Sequence, residues 1–356
     1  MPRLPCLISA ASGTHRPVTN RRYPERVSAA PTQDSPAATD LLAAARAGDG
    51  DAFQALISPH LPVLHVHAYR MLGSLDDADE AVQDVLLRAW RALDSYQGQA
   101  PLLHWLYRIT TTSSLKLIHA KGRRPVPAGE IGYLQPYPDR LLDQLTDADA
   151  DPAAIVEHRE SVALAFITAL QRLPARQRAA LILRDVLAWN ASEVAALLDS
   201  SIPAVNSALQ RARATLSSAP PADSATAHRT LGSHERQLLD RFVDAWQRCD
   251  IDALAALLRE DVILSMPPEL ARITGRPQVM RFFATVPADG RLDTIRLVRT
   301  HANGHPALAA YLPGKSARCE GYGIMVFTAT DDGIATITGF PSPGLFDRFG
   351  LPPACD

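Results

Sequence analysis

The chain has 356 residues, with 36 Lys and Arg against 38 Asp and Glu, for a formal net charge of −2. That length accommodates two or three domains, and a hydrophobic share of 47% supplies packed cores for them. The charge balance excludes a globally basic nucleic-acid binder, so any grip on DNA must come from local patches. Cys6, Cys249, Cys319 and Cys355 are scattered without metal-ligand spacing. They read as thiols of a reducing cytoplasm, and no metal or cofactor is expected. No apolar run approaches about 18 residues, so no membrane span is expected. Pro5 interrupts the apolar start and no cleavage site follows, so no signal peptide is expected either.

Residues 1–38, rich in Pro, Ser, Thr and Ala, read as a disordered tail with five arginines against two acids. Residues 39–124 read as a helical domain. Short helices over Asp40–Ala47 and Asp51–Ile57 flank the turn Gly48-Asp49-Gly50, and Leu61–Leu72 follows, stopped by Gly73. His65 and His67 are two apart and fall on different helical faces, which argues against a metal pair.

Ser74 caps a long helix reaching Tyr96, and Asp76 and Asp77 suit its positive end. Ala78, Ala81, Val82, Val85, Ala89 and Leu93 form its inward stripe. Asp79, Glu80, Gln83, Asp84, Leu87, Arg88 and Arg91 face outward. Such a stripe is either a plain solvated face or a docking surface for a charged partner helix. The next helix, Leu102–His119, carries Trp105, Arg108, Thr112 and Lys116, with Lys121, Arg123 and Arg124 just beyond. Aromatics interleaved with cations suit unpaired bases, since rings stack and cations hold phosphates. The plain alternative places Trp105 in the core.

Residues 125–154 are a proline-rich linker with an acidic second half: from Asp139 to Glu160 there are seven acids and two arginines. Residues 155–218 read as a second helical domain in which Arg172, Arg176, Arg178 and Arg184 offer charge to a phosphate backbone. It ends in Asn190–Leu216. Asn190 and Glu193 fit a capping box, and Asp199-Ser200-Ser201 makes a turn. A second helix then buries Ile202, Val205, Leu209, Ala212 and Leu216. Its other side shows Ser201, Pro203, Ala204, Asn206, Ser207, Gln210, Arg211 and Arg213. Short polar groups near the start of a helix reach base edges, and guanidiniums further along reach phosphates or guanines. The arrangement is a helix-turn-helix, or else an ordinary helical hairpin.

After a linker at 219–232, residues 233–350 change pattern, and 351–356 form a tail. An amphipathic helix from Ser233 buries Leu238, Leu239, Phe242, Val243 and Trp246. Further helices span Asp252–Leu258 and Pro277–Ala284. Strand-like runs occupy Val262–Leu264, Asp293–Ala302, Ala307–Leu312, Ala317–Thr330 and Gly333–Phe340. Helices followed by antiparallel strands argue an α+β domain. Met266, Phe282, Tyr322, Met325 and Phe340 form a candidate ligand pocket or a filled core.

SLDDADEAVQDVLLRAWRAL, WLYRI and the segment from Pro174 to Leu216 together resemble the extracytoplasmic-function group of bacterial RNA polymerase sigma factors. The resemblance covers roughly Asp40 to Ser218, with three motifs in the right order. It implies that Asp79 to Arg91 dock on core polymerase, at the clamp of its largest subunit, with further contact at the flap. It implies −10 promoter contact by Trp105 to Arg124 and −35 contact by Ser201 to Arg213. Relatives carry Asn and Asp where this chain has Thr112 and Lys116, which points to an altered −10 preference. The acidic linker is implied to thread the RNA exit path, and PYPD at Pro136 to Asp139 resembles a motif of sigma factors with long C-terminal extensions.

Asp261-Val262, Met266-Pro267-Pro268, Gly275-Arg276 and the late strands resemble the SnoaL-like branch of the nuclear-transport-factor-like cones. Enzymatic cones use an acid–base residue inside the pocket, and here Asp261 and Glu269 lack a convincing partner. The expectation is a multidomain cytoplasmic protein: two all-α sigma domains and an α+β cone. It directs transcription initiation, with the cone regulating in cis and open to a small-molecule ligand. The rivals are a cyclase or isomerase carrying DNA-binding helices, and a repressor that acts without polymerase.

Overall fold

The computed structural model describes residues 36–125, 133–145, 161–217, 233–268, 272–314 and 318–355. Most of the expected tail, the acidic stretch 146–160, the second linker and Glu269 lie outside them. The chain divides into two compact units, one drawing on Met1–Ala128 and Leu141–Ala222, the other on Gly129–Arg140 and Asp223–Asp356.

The described part of the first unit is helical. α1 (Pro36–Arg46) and α2 (Gly50–Ile57) meet at Asp49, whose carboxylate accepts the amides of Asp51 and Ala52 at 2.9 and 3.1 Å. α3 (Leu61–Leu72) ends at Gly73, whose φ of 73° is the left-handed value a residue with a Cβ resists. Ser74 caps α4 (Leu75–Ala92) by accepting the Asp77 amide at 3.3 Å. α5 (Leu102–Ala120) completes a bundle in which Leu64, Ala68, Leu72, Ala81, Val85, Ala89 and Leu106 are buried. His67 is buried there too. Its Nε2 lies 2.8 Å from the Thr111 hydroxyl, and its ring meets Tyr107 edge-on at 5.1 Å. Burial first, and the neighbouring Arg70 charge second, lower its pKa to about 3, so the ring is neutral.

The short α6 (Asp139–Leu142) lies within the first linker, with Asp139 and Arg140 assigned to the second unit and Leu141 and Leu142 to the first. α7 (Leu164–Gln171), α8 (Ala175–Leu181), a π-helical turn at Ile182–Val186, α9 (Ala191–Leu197) and α10 (Ile202–Ser217) then complete the unit. Arg178 ties this second set of helices to the first. Buried, it donates to the carbonyls of Leu170, Gln171 and Leu173 and to the Gln171 side chain, and also reaches the Met71 carbonyl at the end of α3. A Cβ on Gly73 would lie 2.9 Å from the Gln171 side chain, so the glycine also permits this close approach. The His104 and Trp189 rings stack at 4.9 Å across the same joint.

The second unit is α+β. Its sheet runs β2 (Arg272–Thr274), β1 (Leu258–Ser265), β6 (Gly333–Phe340), β5 (Cys319–Thr330), β4 (His305–Pro313) and β3 (Arg296–Ala302), with β7 (Ala354–Cys355) also paired to β5. Among the described strands, only the β1–β6 pair is parallel. α11 (Ser233–Gln247), α12 (Ile251–Leu257) and α13 (Arg276–Thr285) cover one face through Phe242, Trp246, Leu254 and Phe283, which pack on Leu308, Phe327 and Ile337. On the other face α14 (Leu345–Phe349) sets Phe346 edge-on to Tyr311 at 4.8 Å.

β3 and β4 join through Asn303-Gly304, both at positive φ (57° and 75°), the geometry that favours Asn-Gly in a two-residue hairpin. The first linker grips this tip. Tyr137 and Asn303 exchange two bonds of 2.8 Å, Gly304 N–H donates to Asp139 at 2.9 Å, and Pro138 bridges to Ala302. Arg140 donates to the carbonyls of Arg348 and Asp347 at 2.6 and 3.0 Å. Tyr137 is buried, which contributes about 1.5–3 kcal/mol. These linker residues therefore belong to the α+β unit, although sequence places them in a spacer.

Candidate functional site

The outward stripe of α4 is partly consumed by the fold. Asp79 leans on His65 at 3.1 Å, and Glu80 accepts from Lys121 at 2.8 Å. Asp84 and Arg88 pair with each other at 2.5 Å while remaining 41% and 37% exposed. Gln83, Leu87 and Arg91 stand fully outward, Leu87 at 58% exposure. An exposed leucine between two such polar residues is the pattern of an anchor that a partner helix covers. Trp90, at 40% exposure and edge-on to Phe53 at 5.0 Å, extends the patch; its place at the end of the same face was the signal that sequence reasoning passed over.

On α5, Arg108, Thr112 and Lys116 recur at four-residue spacing and are all exposed. The Thr112 hydroxyl donates to the Arg108 carbonyl at 2.8 Å. Trp105 is half-buried against Tyr96, with ring centroids 5.4 Å apart. Lys121 and Arg123, expected to meet −10 DNA, are engaged within the fold. Lys121 binds Asp77 at 2.6 Å as well as Glu80, and these two carboxylates raise its pKa. Arg123 pairs with Asp77 and donates to the Leu72 carbonyl at 3.2 Å. The buried Asp77 carboxylate draws both cations back onto α4. Arg124 is exposed.

The Asn190 capping box forms in full, and the Ser201 hydroxyl accepts the Ala204 amide at 3.3 Å to start α10. Val205, Leu209, Ala212 and Leu216 are buried. Ser201, Pro203, Ala204, Asn206, Ser207, Gln210 and Arg211 all face out. One residue differs from expectation. Ile202 is 44% exposed, because it lies in the first turn ahead of the buried row. Arg213 is exposed but held by both oxygens of Asp185 at 2.6 and 3.0 Å. Of the other arginines expected to meet phosphate, Arg178 is buried, Arg176 and Arg184 donate to the carbonyls of Leu198 and Trp189, and Arg172 is half-buried.

The five candidate pocket residues do not share a face. Gly339 pairs with Met325, and a Cβ on Gly339 would meet Met266 at 3.4 Å, so these three lie together on the helix-covered side, where Phe282 also packs. Phe340 pairs with Ile324 and so points to the opposite side, because neighbouring strand residues alternate. Tyr322 is 48% exposed. Asp261 is exposed and bound by Arg259 at 2.8 and 2.9 Å, so it is no buried acid. Sequence reasoning missed the hairpin grip described above, although PYPD and the Asn-Gly pair were its two visible signals.

Three family models match: Sigma-70 region 2 over residues 56–124, Sigma-70 region 4 over 163–216, and a SnoaL-like domain over 239–337. The ECF RNA polymerase sigma factor SigG of Mycobacterium tuberculosis is 37% identical over 324 residues, 86% of this chain and 85% of the relative. The ECF RNA polymerase sigma-E factor of Escherichia coli is 29% identical over 166 residues, 47% of this chain and 85% of the relative. Among solved structures, the M. tuberculosis extracytoplasmic function sigma factor SigJ matches with a TM-score of 0.56 at 24% identity, covering 82% of this chain and 97% of that one, a likeness of fold.

Proposed function

This chain belongs to the extracytoplasmic-function sigma factors of bacterial RNA polymerase, and we propose that three exposed stripes divide the family's work among them. It is an alternative sigma factor that binds core polymerase and promoter DNA to direct transcription initiation, a regulator and not an enzyme. Gln83, Leu87, Trp90 and Arg91 dock on the clamp of the largest core subunit, with Asp84 and Arg88 at the rim, and region 4 meets the flap. Arg108, Thr112, Lys116 and Arg124 follow the −10 element. Asn206, Ser207, Gln210 and Arg211 enter the −35 major groove. The observation that carries this division is that Leu87, Arg108, Lys116, Asn206, Gln210 and Arg211 are exposed, while Lys121, Arg123, Arg178 and Arg213 are bound by carboxylates and carbonyls of the fold.

The SnoaL-like domain regulates in cis. The motive is that the strap between regions 2 and 4 is itself gripped by that domain through hydrogen bonds of Tyr137, Asp139 and Arg140. Run-off transcription with purified core polymerase tests the reading. Leu87→Ala should lower polymerase occupancy, Gln210→Ala with Arg211→Ala should abolish −35 dependence, and loosening the grip should change transcript yield. Wild-type transcription by all three variants would refute it.

A further inference from the structure

Cys319 opens β5 and Cys355 closes β7, and the two are direct cross-strand partners. Gly321 N–H donates to the Pro353 carbonyl at 2.8 Å, two residues along the same ladder. The parity makes Cys319–Cys355 the hydrogen-bonded kind of pair, with Cα atoms about 5.5 Å apart. That lies within the roughly 4.4–6.8 Å a disulfide can span, but the about 4.5–5.5 Å typical of directly opposed Cβ atoms is wider than the about 3.8 Å a relaxed bridge prefers. Both residues are half-buried thiols. The Tyr311 phenol, which donates to the Pro352 carbonyl at 3.0 Å, lies close by. Its pKa is raised by burial and then by the Cys355 sulphur.

We propose that Cys319 and Cys355 are a redox pair that closes to a strained, readily reduced disulfide when the protein meets a peroxide. One thiolate attacks a peroxide oxygen and expels hydroxide, leaving a sulfenic acid. The second sulphur displaces that oxygen as water and forms the S–S bond. In sum, two thiols and one hydrogen peroxide give one disulfide and two waters. Strain places such a bond among the labile disulfides rather than the structural ones.

The position gives the bond a consequence. β6 leaves the edge of β5 at the Phe340–Ile324 pair, and β7 resumes that edge with only two register pairs. Between them stands α14, whose Asp347 and Arg348 carbonyls hold Arg140 of the linker. A covalent tie at β7 restrains the segment that grips the linker. Cys249 is placed elsewhere, its sulphur exchanging bonds of 3.3 Å with Asp293.

The test uses the full chain under graded hydrogen peroxide, with alkylation, non-reducing proteolysis and mass spectrometry. The expected result is a Cys319–Cys355 linked peptide, reversed by mild thiol and absent from both Cys319→Ser and Cys355→Ala, while Cys249→Ser retains it. Amide exchange over 345–355 should slow at least tenfold in the oxidised form. Independent sulfinic acids, a link through Cys6 or Cys249, or unchanged exchange after linkage would each overturn the proposal.

Discussion

Tyr137 and Asn303 bind each other twice at 2.8 Å, backbone amide to side-chain oxygen and backbone amide to carbonyl, although 166 residues separate them. Asn303 is buried and its φ is 57°. Asn303→Gly keeps that conformation and removes only the amide, leaving the Tyr137 N–H unpaired. The expected cost to the α+β unit is about 1–3 kcal/mol, with faster amide exchange at Tyr137. Exchange at the wild-type rate would show that the grip is incidental.

Lys116 and Arg123 should separate two properties that a basic stretch usually confounds. Lys116 is exposed, so Lys116→Ala should leave thermal stability alone. It should weaken promoter binding and lower the salt slope by about one. Arg123 pairs with Asp77, whose side chain is 5% exposed. Arg123→Ala should therefore destabilise the helical unit by about 2–3 kcal/mol, towards the low end of what an orphaned buried charge costs because Lys121 stays. Paired thermal melts and salt titrations distinguish the two. Equal melting temperatures for both variants would contradict the assignment.

Leu87 offers the cleanest test of the docking face. Its side chain is among the exposed large hydrophobics, so Leu87→Ala forfeits little internal packing. If it fills a pocket on polymerase, affinity for core enzyme should fall tenfold or more, on the order of 1.4–2 kcal/mol, at unchanged Tm. Competition binding against the wild-type chain measures this directly, and an unchanged affinity would remove Leu87 from the interface.

Periodicity made the helices and most strands readable, because burial and spacing are the same fact seen twice: α3 ends at Gly73 and α10 starts at Ser201 where caps and glycine require. What stayed hidden was pairing across sequence distance. Nothing local in Lys121, Arg123 or Arg213 distinguishes a cation bound for phosphate from one bound for Asp77 or Asp185. The same holds for the linker, whose prolines read as a spacer until Asn303 and Gly304 supply partners. Phe340 misled for a simpler reason. A single residue of register decides which face of the sheet it serves, and register is fixed by pairing with β5.

His67 sets an acid limit on the helical unit. Its folded-state pKa is lowered from 6.5 to about 3 because burial disfavours the charged ring. The unfolded chain therefore takes up a proton near pH 6.5 that the folded one refuses. The sign follows: the folded state has its full margin above pH 6.5 and loses it steadily as pH falls toward 3. Between pH 7 and pH 5 the loss from this one group is about 2 kcal/mol. His305, half-buried at the start of β4 and lowered by desolvation to about 4, gives the α+β unit a loss of the same sign. His67→Asn keeps an amide opposite the Thr111 hydroxyl and removes the titration. Denaturant unfolding at both pH values should show the variant less stable at pH 7 but flatter with pH by about that amount. A variant as pH-sensitive as the wild type would place the acid weakness in another group.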